Sequence, residues 1–538
     1  MAGLAASFGS GAMTNSIEEL EFTDLILATG TNTTENHPVI SSFIKRGVRQ
    51  QGVKLIVIDP REIDLVKYAD VWLCQKPGTD VAVLNGLMNV IISENLYARD
   101  YIAERTENFD ALKAVVSKYT PEHVEKISGV SAKDLKKAAR MYAQAKRASI
   151  VYAMGITQHT SGTDNVKSVA NLSMLCGNVG IEGGGVNPLR GQNNVQGACD
   201  MGGLPNVYPA YQQVSNEDAR KRFETAWRGK LSTKPGLTLM EIMAAAGRGD
   251  IKALYIMGEN PLLSDPDLKH VEKELRNLDL LIVQDIFLTE TAQMADVVLP
   301  STSFAEKEGT FTNTERRVQR VRKIVDAPGE AKADWEIISE LSTKMGYPMK
   351  YSSAKEIFDE VIKVTPSYAG MTYERLEKEG LQWPCPTADH PGTKFLHKDR
   401  FSRGLGLFHA IEYIPPAELP DEEYPLFLST GRVLYHYHTG TMTTRAQGPS
   451  ERYPESLVEI NPLDAEKLGI SEGQMVKVTS RRGTVQAKAQ ITQKSMPGTI
   501  FMNFHFAGAP VNALTNPALD PTGKIPEYKV CAVKLEAA

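Results

Sequence analysis

One short pattern occurs twice in this chain, and that repeat restricts its fold more than any other feature. In the first copy an apolar run, Asp24-Leu25-Ile26-Leu27-Ala28-Thr29, ends at Gly30. A second, Lys54-Leu55-Ile56-Val57-Ile58, stops at Asp59-Pro60-Arg61, and a third, Asp70-Val71-Trp72-Leu73-Cys74, leads into Lys76-Pro77-Gly78-Thr79-Asp80. In the second copy Ala253-Leu254-Tyr255-Ile256-Met257 runs into Gly258-Glu259-Asn260-Pro261. Leu280-Leu281-Ile282-Val283 runs into Gln284-Asp285, and Ala295-Asp296-Val297-Val298-Leu299 into Pro300-Ser301. Asp59 lies 11 residues before Asp70, and Asp285 lies 11 before Asp296. Such apolar runs, each closed by turn residues, read as buried parallel strands, and strands alternating with helical patterns predict an α/β fold. A parallel sheet binds ligands beyond its strand C-termini, so two similar nucleotide ends held pseudo-symmetrically are expected. The acid after each second strand can accept from ribose hydroxyls or from the N–H groups of a guanine edge. Against this stands the plainer reading that any α/β chain repeats strand–helix units.

Around the first copy, helical patterns are expected to about Gln50, to about Leu96 and through about Ala145, with a capped start at Thr120-Pro121. A further buried strand, 149–154, closes at Gly155-Ile156-Thr157-Gln158-His159, and a helix over 164–175 follows. It delivers the chain to residues 183–203, which carry seven glycines, a cluster of amides at Gln192-Asn193-Asn194, and a single cation, Arg190. Glycine at that density lets backbone approach a ligand closely. A lone guanidinium there suits one small anion, whose carboxylate its fork matches. The alternative, a loop between domains with an incidental arginine, stays open at this point.

Net charge is -5, which argues against nucleic acid as partner, and no apolar run approaches the ~20 residues that span a bilayer. The start, Met1-Ala2-Gly3-Leu4-Ala5-Ala6-Ser7-Phe8, has neither the basic region nor the apolar core of a signal peptide. Cys74, Cys176, Cys199, Cys385 and Cys531 are scattered with no CxxC pair, so no zinc or iron–sulfur site is read from them. Isolated cysteines fit a reducing compartment, and a cytoplasmic location is expected. Neither a G-x-G-x-x-G pattern nor a P-loop occurs, which disfavours ordinary NAD binding.

Residues 305–334 read as charged and loop-like, with Arg316-Arg317-Val318-Gln319-Arg320 as a solvated face. Helices to about Val364 and a Pro- and Gly-dotted connection to about Pro420 come next. Short strands at 426–429, 457–460, 475–480, 484–491 and 499–504 then predict a small β-barrel. Arg432, His436 and His438 follow its first strand; the H-x-H pair suits a metal or a cofactor ring. Asn512 and Asn516 precede Pro526-Glu527-Tyr528-Lys529, a grip of amides and lysine for a heterocycle and phosphate. The expected architecture is therefore α/β, two pseudo-equivalent parallel-sheet lobes with a C-terminal six-stranded type of β-barrel. Its segments are 1–192 (first lobe), 193–335 (second lobe), 336–420 (helical and connecting) and 421–538 (barrel).

With Phe8-Gly9-Ser10-Gly11-Ala12-Met13-Thr14-Asn15, Met154-Gly155-Ile156-Thr157-Gln158, Asn187-Pro188-Leu189-Arg190-Gly191-Gln192-Asn193-Asn194-Val195-Gln196-Gly197 and Ile460-Asn461-Pro462-Leu463-Asp464-Ala465, the whole chain resembles the molybdopterin oxidoreductase family. Within that family it is most similar to the catalytic (alpha) subunits of formate dehydrogenases. The resemblance implies two molybdopterin guanine dinucleotides holding one molybdenum or tungsten atom, with one tail on each lobe. Asn32, Asn36, Asp59, Arg61, Gly78, Asp80, Met154, Gly155 and Gln158 would follow one tail. Asn260, Gln284, Asp285, Ser301 and Asp334 would line the other. Arg432, His436, His438, Asn512, Tyr528 and Lys529 would close over the pterins, Arg190 would orient formate, and Gln192 would be an active-site amide. The implied reaction is formate to CO2, a proton and two electrons, or its reverse. The implied partner is an iron–sulfur electron-transfer subunit, a hydrogenase or an NAD-reducing module.

The family pattern also implies an N-terminal [4Fe–4S] domain, a metal-ligating cysteine or selenocysteine just upstream of Ala2-Gly3-Leu4, and a further part of the second lobe. None of the three is in this sequence. A reading frame called downstream of an in-frame selenocysteine codon is therefore expected, and sequencing the DNA 5′ of Met1 checks it. On that expectation the chain as given does not turn over. Two alternatives accompany this reading: a non-catalytic fragment that holds pterin cofactor, and a related reductase of nitrate or another oxyanion.

Overall fold

The computed structural model describes residues 1–538. The chain forms two compact units, Met1–Gly191 with Phe395–Ala538, and Gln192–Lys394.

The first unit opens on a five-stranded sheet of β1 (Leu25–Thr29), β2 (Lys54–Ile58), β3 (Val71–Leu73), β4 (Ala148–Tyr152) and β5 (Val186–Pro188). Every pairing is parallel and the order is β3-β2-β1-β4-β5, a doubly wound half in which β1 and β4 are buried throughout. Its largest core joins Leu25, Leu27, Ile56, Ile58 and Ile150 to α1 (Ala2–Phe8), α2 (Asp80–Ser93), α3 (Ala132–Gln144) and α4 (Gly162–Leu175). α1 lies so close to α4 that a Cβ on Gly3 would stand 2.8 Å from the Thr163 carbonyl and Val166 Cβ. The expected capped start is present: Thr120 Oγ1 accepts the His123 N–H at 3.3 Å and opens the helix Pro121–Ser128.

The second unit holds the matching sheet, β6 (Ala253–Met257), β7 (Leu280–Asp285) and β8 (Val297–Pro300), in the parallel order β8-β7-β6. The likeness extends to single hydrogen bonds. Asp70 Oδ2 accepts the Leu55 N–H at 3.0 Å and Asp296 Oδ2 accepts the Leu281 N–H at 2.7 Å. Asp59 Oδ1 accepts from the Arg61 N–H at 3.0 Å, and Asp285 Oδ1 from the Phe287 N–H at 3.1 Å. The repeated acids therefore do the same backbone work in both sheets, which accounts for their common spacing.

Residues 305–334 correct one expectation. They form an antiparallel hairpin of β9 (Gly309–Thr312) and β10 (Arg317–Val321), with Leu381–Gln382 beside it. Arg316 is completely buried where a solvated face was expected. Its guanidinium donates to the Thr393 and Lys394 carbonyls at 3.0 Å each and to the Trp383 carbonyl. A cage of backbone oxygens satisfies a planar cation that apolar walls alone could not. Arg317 and Arg320 instead pair with Glu315 at 2.8 Å and Glu377 at 2.7 Å.

The closed barrel completes the first unit. It consists of β11 (Leu426–Gly431), β12 (Leu457–Ile460), β13 (Met475–Thr479), β14 (Thr484–Ile491), β15 (Thr499–Asn503) and β16 (Cys531–Ala537), in the order β11-β15-β12-β14-β13-β16. Alternate residues such as Val476, Val478, Val485, Ala487 and Ala489 fill it. No helix is long and apolar enough to cross a membrane.

Candidate cofactor and active site

The C-terminal ends of β1 to β4 and the rim of the barrel enclose a cleft of about 1130 Å³, counted to its open mouth. Eleven of the sequence-predicted residues line it together: Asn32, Asn36, Asp59, Arg61, Gly78, Asp80, Met154, Gly155, Gln158, Arg432 and Lys529. Sequence reasoning missed His37, Gln75, His159, Ser495, Phe501 and Phe504, which also line it. His37 and His159 adjoin strand-end turns and could have been found there; nothing local marks the barrel residues.

Many polar groups of this cleft are left without partners inside the protein. Thr31 Oγ1, Asn32 Oδ1, Asn36 Oδ1, His37 Nδ1, Gln75 Oε1 and Ser495 Oγ are buried and form no hydrogen bond. An unsatisfied buried group costs about 1–3 kcal/mol, so a row of them is tolerated where a polar ligand supplies the missing half. The titratable groups agree. Burial pushes the Asp59 carboxyl up to about 7 and the Asp80 carboxyl up to about 6. Burial, then the Arg432 charge, brings the Lys529 amine down to about 7, although its Nζ donates to the Thr430 carbonyl at 2.5 Å. Carboxyls that resist ionisation and an amine that resists protonation are groups short of the polar contacts a ligand brings.

Arg190 follows β5 at the edge of this cleft, between the lining residues Leu189 and Gly191. Its carbonyl is hydrogen-bonded to His37 Nε2 at 2.7 Å. A Cβ on Gly191 would sit 2.6 Å from Arg432 Nη1, so a second guanidinium stands directly beside this segment. Gln192 begins the second unit.

His436, His438, Asn512 and Tyr528 do not line the cleft. His436 is engaged by Tyr453 O at 2.7 Å and Thr443 Oγ1 at 3.0 Å, and its ring meets the edge of Phe506 at 4.9 Å. Burial, then the Arg432 charge, lowers His438 to about 4. Asn512 is buried in the turn Val511–Ala513, and the Tyr528 carbonyl accepts from Thr430 Oγ1 at 2.8 Å. No group of three or more His, Cys, Asp or Glu side chains is arranged to hold a metal ion.

In the second unit Gln284, Asp285, Ser301 and Asp334 gather at the C-terminal ends of β7 and β8. Gln284 Nε2 donates to Asp334 Oδ1 at 2.7 Å, Asp334 pairs with Lys307, and the Ser301 N–H reaches the Asp285 carbonyl at 3.1 Å. Asn260 is used differently from Asn32. Its Nδ2 donates to Glu290 at 2.8 Å and its Oδ1 accepts from Thr291 Oγ1 at 2.7 Å, so both ends of the amide hold the turn in place.

A molybdopterin oxidoreductase family model matches residues 4–344. The chain belongs to the molybdopterin oxidoreductase family. A molydopterin dinucleotide binding domain matches residues 426–532, the barrel. Among relatives, the F420-dependent formate dehydrogenase subunit alpha of Methanocaldococcus jannaschii is 55% identical over 99% of this chain and 79% of its own length. Formate dehydrogenase H of Escherichia coli is 44% identical over 100% of this chain and 76% of its own length. Acetylene hydratase from Pelobacter acetylenicus shares the fold, with a TM-score of 0.78 at 22% identity, covering 100% of this chain and 80% of that one. The family's cofactor class, a molybdopterin guanine dinucleotide, fits the first cleft: its unpartnered amide, hydroxyl and imidazole atoms, with the buried Asp59, Asp80 and Lys529 beside them, are the donors and acceptors that a heterocycle, a ribose and phosphates require.

Proposed function

We propose that this chain is the catalytic polypeptide of a formate dehydrogenase, the enzyme that interconverts formate with CO2, a proton and two electrons. The 55% identity to a formate dehydrogenase alpha subunit across 99% of the chain carries this reading. Two molybdopterin guanine dinucleotides and one molybdenum or tungsten atom supply the redox chemistry when bound. Asn32, Asn36, Asp59, Arg61, Gly78, Asp80, Met154, Gly155 and Gln158 hold one tail, and Gln284, Asp285, Ser301 and Asp334 hold the other. Asn260 supports that second site by fixing its turn. Arg432 and Lys529 meet the anionic pterin and phosphate groups from the barrel. His436, His438, Asn512 and Tyr528 back the wall from which those two project.

Arg190 binds formate bidentately through its guanidinium, and Gln192 contributes an amide near the reacting atoms. Formate offers little surface, so orientation supplies a large share of the rate enhancement. The His37 contact to the Arg190 carbonyl keeps the backbone of this segment still. Electrons leave to an iron–sulfur partner, and the name of the M. jannaschii relative favours F420 as their final acceptor over a hydrogenase or NAD-reducing module. A cytoplasmic location completes the proposal. Anaerobic expression of the full reading frame, followed by metal and pterin analysis and a formate–viologen assay, tests it. Formate-dependent dye reduction by metal-loaded protein is the expected result. Cofactor without activity toward formate, or reduction of nitrate instead, overturns it.

A further inference from the structure

Arg61 is among the residues expected to follow the dinucleotide tail, yet its fork is already occupied. Its Nε donates to Glu459 Oε2 at 2.8 Å and its Nη2 to Glu459 Oε1 at 2.5 Å, a bidentate pair between the end of β2 and barrel strand β12. The two side chains are 12% and 8% exposed, and the guanidinium carbon lies 3.8 Å from the centroid of the Phe501 ring. Arg61 and Phe501 both line the cleft. A guanidinium whose charge and one edge are committed to a carboxylate is a poor phosphate ligand, but it remains a flat, weakly hydrated surface. Stacked over the face of Phe501, it presents its own outer face as the platform for a planar base.

We propose that Glu459 is a positioning residue: it clamps Arg61 against Phe501, so that this wall receives the base of the nucleotide tail by stacking, not its phosphates by charge. Nearby Glu35 fits the same assignment. Burial raises its carboxyl against the Arg61 and Lys494 charges, and its buried Oε2 has no hydrogen-bond partner, an acceptor that the N–H of a base can meet and a phosphate oxygen cannot. The inference rests on the reading that the cleft holds a guanine dinucleotide tail.

The test uses the 538-residue chain without cofactor and two probes, GMP and inorganic pyrophosphate, by titration calorimetry. Glu459→Gln is expected to weaken GMP about 5–10-fold while pyrophosphate binding is unchanged or tighter, because the released guanidinium regains a free edge. Phe501→Leu, which leaves the ion pair intact, should show the same base-selective loss. Equal loss of both probes in the two variants means a merely structural role and overturns the proposal. Unchanged GMP binding in both variants overturns the stacking assignment alone. Wild-type protein that takes up no GMP overturns it together with the dinucleotide reading of the cleft.

Discussion

Gly30 and Gly155 touch backbone to backbone at the floor of the cleft: a Cβ placed on Gly155 would lie 2.4 Å from the Gly30 carbonyl oxygen and 2.5 Å from its Cα. Gly30 also has φ +55° and its carbonyl accepts the Gly155 N–H at 3.0 Å. The ends of β1 and β4 can therefore meet only without side chains. Gly155→Ala should destabilise the first unit by about 3 kcal/mol or more, since neither neighbour can yield. Urea denaturation measures it, and pterin content after anaerobic expression should fall in parallel.

The buried carboxyl of Asp59 gives a pH signature. Its folded pKa of about 7 lies above the ordinary carboxylate value, so the folded state holds a proton that the unfolded chain has lost. Stability therefore declines as pH rises from about 4 toward about 7, and stays reduced above that. Asp59→Asn keeps the acceptor for the Arg61 N–H and removes the ionisation. The cofactor-free variant should melt higher than wild type at pH 8, by the equivalent of about 1–3 kcal/mol, and alike at pH 4.5. Scanning calorimetry at the two pH values decides it; a constant offset would point to a cause other than titration.

Arg190 supplies the one cation of the glycine-rich segment. In cofactor-loaded enzyme Arg190→Ala should cost about 100-fold in kcat/KM for formate, chiefly through KM, while Arg190→Lys recovers part of it. Steady-state viologen reduction checks this, and unchanged kcat/KM would remove Arg190 from substrate binding.

Asp200 organises the second unit. Its Oδ1 accepts from Gln196 Nε2 at 2.7 Å and Tyr211 OH at 2.8 Å, and its Oδ2 from Tyr368 OH at 2.5 Å and Trp383 Nε1 at 2.7 Å. Four neutral donors satisfy one buried carboxylate with no cation among them. In Asp200→Asn an amide N–H₂ would face donors, costing about 2–4 kcal/mol. Hydrogen exchange should accelerate across Gln192–Lys394 and hardly at all in β1 to β5.

By themselves the residues determined the sheets, because a buried parallel strand is a local event: an uninterrupted apolar run, a turn residue at its end, a helical pattern beyond. They also determined the paired acids at Asp59/Asp70 and Asp285/Asp296, since each acid caps backbone within its own sheet. The sequence-predicted cleft residues that proved to cluster lie mostly at such strand ends, where sequence position and spatial position coincide. Tertiary structure alone decided what pairs across distance. Glu459 stands 398 residues from Arg61, and Trp383 stands 183 from Asp200. No spacing rule links them, because contact between separate elements is set by packing of the whole unit. Burial was equally illegible. Arg316 looks like a member of a solvated basic run until the backbone carbonyls of Trp383, Thr393 and Lys394 surround it. Asn260 and Asn32, alike in sequence, diverge because Asn260 has neighbours at both ends of its amide while Asn32 Oδ1 has none.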